Sequence, residues 1–320
     1  MSWFIFAVVT MLGWGFADLF YKKSSENSDR YSHLKISVWV GIVMMVTSAV
    51  LLFFSKTGYS PDKWLVNLLK YSPASLGYIA SMIIGYAGLR YLEVSIISPV
   101  QNASGAFSAI AIIVYFIIIG KSGEILNEIS VLDIFGTVII VLGVVLLAVA
   151  ENKETAKELL SDGKKSRMGA LALIFPLLYC FFDTLGTAAD GIILDENSGI
   201  GLSQIEVLIL YGFTFFAAGV VSYIVLAFKE RKFYNPFSPA EIKTKGAAAL
   251  CEEFGQVFYV YAMAKNPVLA APMIASYCIV SVILSKIILK EKLAPIKNKC
   301  VCLVILGIVF LGISEGLSAR

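Results

Sequence analysis

Five carboxylates stand where acids are costly: Asp18, Asp183, Glu252 and Glu253 fall inside long apolar runs, and Asp190 lies at the end of one. An ionised carboxylate at the centre of a membrane-spanning helix costs about 2.5–3.5 kcal/mol on insertion scales, so such residues persist mainly where they face a cavity or a partner. The chemistry they offer is proton exchange or attraction of a cation. Glu252, Gln256, Tyr259 and Met263 form one stripe on a helix, with Glu253 beside it. Two neighbouring acids in a dry site cannot both ionise cheaply, so one of them is expected to take up a proton. Asp18 lies one turn after Trp14, and Asp183 one turn after Tyr179. The same aromatic-then-acid face is thus presented twice.

A plainer structural account stands beside each feature. Asp18 could pair with Lys22 one turn on, and the two glutamates could form a solvated helix start. Ser98, Gln101, Asn102, Gly105 and Ser108 follow or flank Pro99, and Ser276, Tyr277 and Ser281 follow Pro272. Their polar groups can satisfy carbonyls freed by a proline. Gln101 and Asn102 are larger than that task needs, and are expected to hydrogen-bond a solute. Glu206, near the start of an apolar run, needs only helix-dipole stabilisation.

The elements that position these groups follow from composition. With 320 residues, 58% hydrophobic and 15% charged, and mean hydropathy +0.81, the chain differs from soluble domains, which carry about 25% charged residues. Ten apolar runs are long enough to cross about 30 Å of hydrocarbon as helices, and too continuous for barrel strands. They lie near residues 3–21, 34–55, 73–91, 96–119, 131–150, 168–189, 203–228, 246–264, 268–289 and 298–316. The first has no positive n-region or cleavage site and is expected to be retained. The loops expected between runs include 56–70 and the polar linker 151–167.

The chain also repeats itself. Val141–Val149 returns in register as Ile305–Ile313, while Asp18 and Pro99 recur at similar offsets as Asp183 and Pro272. Residues 1–150 and 168–320 therefore read as two five-helix repeats joined by the linker. An odd number of spans per copy inverts the second relative to the first. The expected fold is an all-α integral membrane protein with ten transmembrane helices in two inverted-topology repeats. Lys and Arg cluster in the loops that would be cytoplasmic if both termini were outside.

Several function classes are disfavoured. His33 is the only histidine, so no histidine-rich metal site is expected, nor any cofactor. The five cysteines, Cys180, Cys251, Cys278, Cys300 and Cys302, fall within apolar runs and are expected to be free, buried thiols. HExxH, GxSxG, Walker and CxxC patterns are absent, so the chain is not expected to be an enzyme. A net charge of +3 carries no nucleic-acid signature.

Ten spans in five-plus-five order, Leu12-Gly13-Trp14-Gly15 in the first span, and Leu289-Lys290-Glu291-Lys292-Leu293 before the last make the chain resemble the EamA family of the drug/metabolite transporter superfamily. It departs from the family at Gly120-Lys121-Ser122-Gly123-Glu124, where a compact Gly-Glu-Lys/Arg-Leu turn is usual. Family members are also generally drawn with cytoplasmic termini. The resemblance implies a secondary transporter of small organic molecules with a central cavity between the halves.

The expected function is secondary active transport across the cell membrane by alternating access, coupled to protons. The expected solute site is Trp14, Asp18, Gln101, Asn102, Tyr179, Asp183, Glu252, Gln256, Tyr259 and Tyr277, with Asp18, Asp183, Glu252 and Glu253 as proton carriers. The excess of acids favours a cationic or zwitterionic solute. The expected partners are that solute and the lipid bilayer, with room for a homodimer and none for nucleic acid. An uncoupled channel, or a scaffold that handles lipid, is the alternative.

Overall fold

Continuous apolar sequence, punctuated by proline and short polar stretches, folds here into helices and, among the described residues, no strand. The computed structural model describes residues 2–25, 31–55, 61–88, 102–123, 127, 129–161, 174–195, 198, 200–288, 290 and 295–318. The helices are α1 (Trp3–Ser25), α2 (Ser32–Phe54), α3 (Pro61–Gly88), α4 (Ser104–Ile118), α5 (Val131–Ser161), α6 (Ile174–Leu194) and α7 (Gln204–Glu230). A turn at Pro239–Glu241 and a π-helical turn at Ile242–Gly246 lead without a break into α8 (Ala247–Lys265). Then come α9 (Pro267–Ala275), α10 (Cys278–Ile288) and α11 (Pro295–Ser318). Among the described residues each expected apolar run overlaps one of these helices, the ninth the α9–α10 pair; 89–91, 96–101, 168–173 and 289 lie outside the described residues.

Six stretches among the described residues are long and apolar enough to cross a membrane: Trp3–Tyr21, Ser32–Phe54, Ile174–Leu194, Gln204–Glu230, Pro267–Ile288 and Pro295–Ser318. Ser104–Ile118 and Val131–Leu147 are shorter apolar helices. The helices turn large apolar side chains outward, with Phe53 84%, Ile118 76% and Phe228 80% exposed. Water would not tolerate such a belt, whereas lipid tails match it.

Three boundaries differ from the sequence reading. Residues 61–70, expected as loop, begin α3 with Pro61 at its first position, where a missing N–H is harmless. The first part of the expected linker continues α5 to Ser161, because Glu, Lys, Ala and Leu dominate 151–160 and are strong helix formers despite their polarity. The expected ninth span breaks at Ser276–Tyr277. At the break the Ser276 hydroxyl donates to the Met273 carbonyl at 2.6 Å, satisfying a carbonyl of the last turn of α9. Elsewhere α7 starts with a capping box: Glu206 N–H donates to Ser203 Oγ, and Ser203 N–H donates to Glu206 Oε2 at 2.9 Å.

Each early helix finds its principal partner among the later ones. α1 packs on α8, α2 on α7, α3 on α6, α4 on α9 and α5 on α11, while α1 also meets α10 and α6 meets α4. Exchanging the first five helices for their later counterparts turns α1·α8 into α6·α3, and α1·α10 into α6·α4. Small residues make the closest crossings, as expected where lipid supplies no hydrophobic drive between helices. A Cβ on Gly13 would stand 2.9 Å from the Gly255 Cα, and one on Gly77 would stand 2.7 Å from the Gly186 nitrogen.

Candidate functional site

The α1·α8 crossing at Gly13 and Gly255 brings one acid from each helix together. The Trp14 indole N–H donates to the Glu252 carbonyl at 3.2 Å, and its ring stacks on Tyr259 at 5.3 Å. One turn on, Asp18 accepts from Ser281 of α10 at 2.9 Å. The Tyr21 hydroxyl donates to Glu252 Oε2, and Asp18 stands close enough to Glu252 for the two to interact electrostatically. The Lys22 side chain lies outside the described residues, so its expected pairing with Asp18 has no account here.

The α3·α6 crossing repeats the motif. Asp183 accepts from Ser104 of α4 at 2.6 Å, beside Ser81 of α3, and Ser108 of α4 donates to the Thr184 carbonyl at 3.3 Å. Each aspartate therefore takes a serine hydroxyl from a neighbouring helix, α10 for Asp18 and α4 for Asp183. Tyr277, at the break between α9 and α10, meets Trp14 edge-on at 5.7 Å and interacts electrostatically with Asp18, Tyr179 and Asp183. Trp14 thus directly contacts Glu252, Tyr259 and Tyr277, with Asp18 one turn along α1, while Asp183 stands at the second crossing.

The other expected residues are placed differently. Gln256 is 2% exposed, and its amide nitrogen has no hydrogen-bond partner among the described residues. Glu253 is buried and turns to Thr47 of α2. Because helix precedes the pair back to Pro239, a solvated helix start does not describe Glu252 and Glu253. Asn102 is buried just before α4, while Gln101 and Pro99 lie outside the described residues, as do Leu289, Glu291 and Leu293.

Deeper along α6, Asp190 is fully buried. The hydroxyls of Tyr71, Tyr78 and Tyr259 surround its carboxylate, yet neither oxygen has a partner at hydrogen-bonding geometry among the described residues. The Tyr78 and Tyr259 hydroxyls bond to each other, and Tyr78 also donates to Thr187 at 3.0 Å.

Sequence reasoning missed Tyr21, Tyr71, Tyr78, Ser81 and Ser104. Helical spacing carried a signal for some: Trp14, Asp18 and Tyr21 fall on one face, as do Tyr71 and Tyr78 on α3. The cysteines are all free, but Cys302 is exposed instead of buried, since it lies on the outward side of α11. Among the described residues no group of three or more His, Cys, Asp or Glu side chains could hold a metal ion.

Comparison with known proteins adds the family. A chain of a solved crystal structure superposes with a TM-score of 0.61 at 10% identity, over 96% of this chain and 95% of that one. That likeness concerns the fold alone. No curated protein matches the chain. Residues 197–313, spanning α7 to Ile313 of α11, match the EamA-like transporter family. Residues 197–313 of this multi-pass membrane protein are thus similar to the EamA-like transporter family, in line with the resemblance read from the sequence.

Proposed function

We propose that the protein is a proton-coupled secondary transporter that moves a small cationic or zwitterionic organic solute across the cell membrane by alternating access. Two five-helix repeats of opposite topology, residues 1–150 and 168–320, would rock about a site at their junction. The repeated segment Val141–Val149 and Ile305–Ile313, and helix pairings that survive exchange of the two sets, support that architecture. The observation that carries the functional reading is the pair of matched acids, Asp18 under Ser281 and Asp183 under Ser104.

In this reading Trp14, Tyr179, Tyr259 and Tyr277 supply aromatic surfaces to an organic cation or ammonium group. Asp18 and Glu252 lie close together, so the site is more stable with one of them protonated or with a cation between them. Solute arrival and proton departure then compete for the same charge, which is the minimal requirement for exchange. Gln256 offers an unpartnered amide donor for a carboxylate or carbonyl of the solute.

The test is reconstitution into proteoliposomes with the amine or amino acid that most stabilises the purified protein against heat. The reading expects saturable uptake, acceleration by solute on the opposite side, and drive by a pH gradient. An uncoupled channel or a lipid-handling scaffold would show neither saturation nor trans-stimulation, and that result would overturn it.

A further inference from the structure

The carboxylate that the transport reading leaves unused is Asp190. It lies one turn before the C-terminal end of α6, is 0% exposed, and both of its oxygens lack a hydrogen-bond partner among the described residues. Tyr71, whose hydroxyl faces it from α3, is likewise buried and unpartnered at that hydroxyl. A carboxylate whose neighbouring hydroxyls do not reach hydrogen-bonding geometry, and an orphaned hydroxyl beside it, are both unfavourable in a dry protein interior. Something of opposite charge, coordinated by several oxygens at once, resolves both.

We propose that Asp190, with the hydroxyls of Tyr71, Tyr78 and Tyr259, forms a binding site for a dehydrated monovalent inorganic cation of about sodium size. The donor set is oxygen throughout, which suits a hard cation and offers no nitrogen or sulfur to a transition metal. It carries a single carboxylate, so a monovalent ion leaves the site neutral while a divalent ion leaves a buried net charge. A proton would cancel the charge but supply only one donor, whereas a cation engages both carboxylate oxygens and the Tyr71 oxygen together.

Choline, an organic ammonium, is therefore the discriminating control in the test. The remaining ionisable groups that face the carboxylate are Tyr211 of α7 and, through Tyr78 and Tyr259, Asp183. None brings a positive charge. Because Tyr259 also stacks on Trp14, an ion here would brace the wall of the proposed solute site from behind.

The experiment is thermal unfolding of the purified full-length protein in detergent, titrated with sodium chloride against choline chloride at constant ionic strength and without solute. The expected result is a saturable sodium-dependent rise in melting temperature that choline does not reproduce. Asp190→Asn should abolish the rise, and Tyr71→Phe should weaken the apparent sodium affinity several-fold while leaving the sodium-free melting temperature near wild type. Identical wild-type curves in the two salts would overturn the proposal, as would an undiminished sodium response in Tyr71→Phe or Asp190→Asn. An effect of choline equal to or larger than that of sodium would mark an organic-cation site and overturn it too. The readout needs no transport, so failure here is distinguishable from failure of the proton-coupled reading.

Discussion

Ser281 on α10 donates to Asp18 on α1 at 2.9 Å, and the contact has a counterpart: Ser104 on α4 donates to Asp183 on α6 at 2.6 Å. In each case an acid within an apolar helix is held by a hydroxyl from the helix that follows a proline-bearing segment. One contact joins the two ends of the chain and the other its middle, and each links an early helix to a late one. Matched acids at these two crossings make the junction, and not either half alone, the place to test function.

Removing one hydroxyl should be felt at its own acid. Ser104→Ala removes one hydroxyl from a buried carboxylate and leaves Ser81 beside it, a loss of at most about 1.5–3 kcal/mol for a hydrogen bond to a charged group. Ser281→Ala should cost less, because its bond is longer. Thermal unfolding in detergent measures both, and equal melting temperatures for Ser104→Ala and wild type would show that the contact contributes nothing.

Helix crossings at glycine pairs should resist even one methyl group. Gly77→Ala places a Cβ 2.7 Å from the Gly186 backbone nitrogen, where backbone must move, and overpacking of this kind costs about 1–3 kcal/mol. Gly316→Ala meets nothing within 4 Å and should behave as wild type. Comparing the two melting curves checks the claim, and a silent Gly77→Ala would refute the close α3·α6 approach.

Trp14 has two roles that substitution separates. Trp14→Phe keeps a ring against Tyr259 but loses the N–H that donates to Glu252, while Trp14→Ala loses both. An aromatic pair is worth about 0.5–1.5 kcal/mol beyond burial. Solute-induced thermal shifts should therefore fall in the order wild type, Trp14→Phe, Trp14→Ala; equal shifts in all three would remove Trp14 from the binding surface.

The cap of α7 provides a structural contrast. Glu206→Ala breaks the reciprocal bonds with Ser203 and the contact from Asn67 at 3.2 Å. It should lower stability by about 0.5–2 kcal/mol without changing the solute concentration at half-maximal uptake. A changed half-maximal concentration would tie this helix end to the site.

Much of this was legible because membrane insertion demands long uninterrupted apolar runs, and such runs are conspicuous in a chain. The ends were less so. α5 runs past its apolar part because Glu, Lys and Leu favour helix in water as well as in lipid, and hydropathy stops where propensity does not. Asp18 and Asp183 stood out because acids are rare in such surroundings. Ser104, Ser81 and Tyr78 did not, since a hydroxyl is readily accommodated in a spanning helix by bonding its own backbone. Only the meeting of α3, α4 and α6 gives them a role. Asp190 was conspicuous as an acid, but its ring of tyrosines comes from α3, α7 and α8, helices far apart in sequence.

The central claim is that the acid pair at the junction couples solute movement to protons, and the most direct measurement is solute-driven proton flux into proteoliposomes, read with a trapped pH dye, for wild type and Asp183→Asn. The account predicts a solute-dependent pH change in wild type. It predicts none in Asp183→Asn, in protein that still elutes as a single folded species. A pH change in Asp183→Asn equal to that of wild type would contradict it.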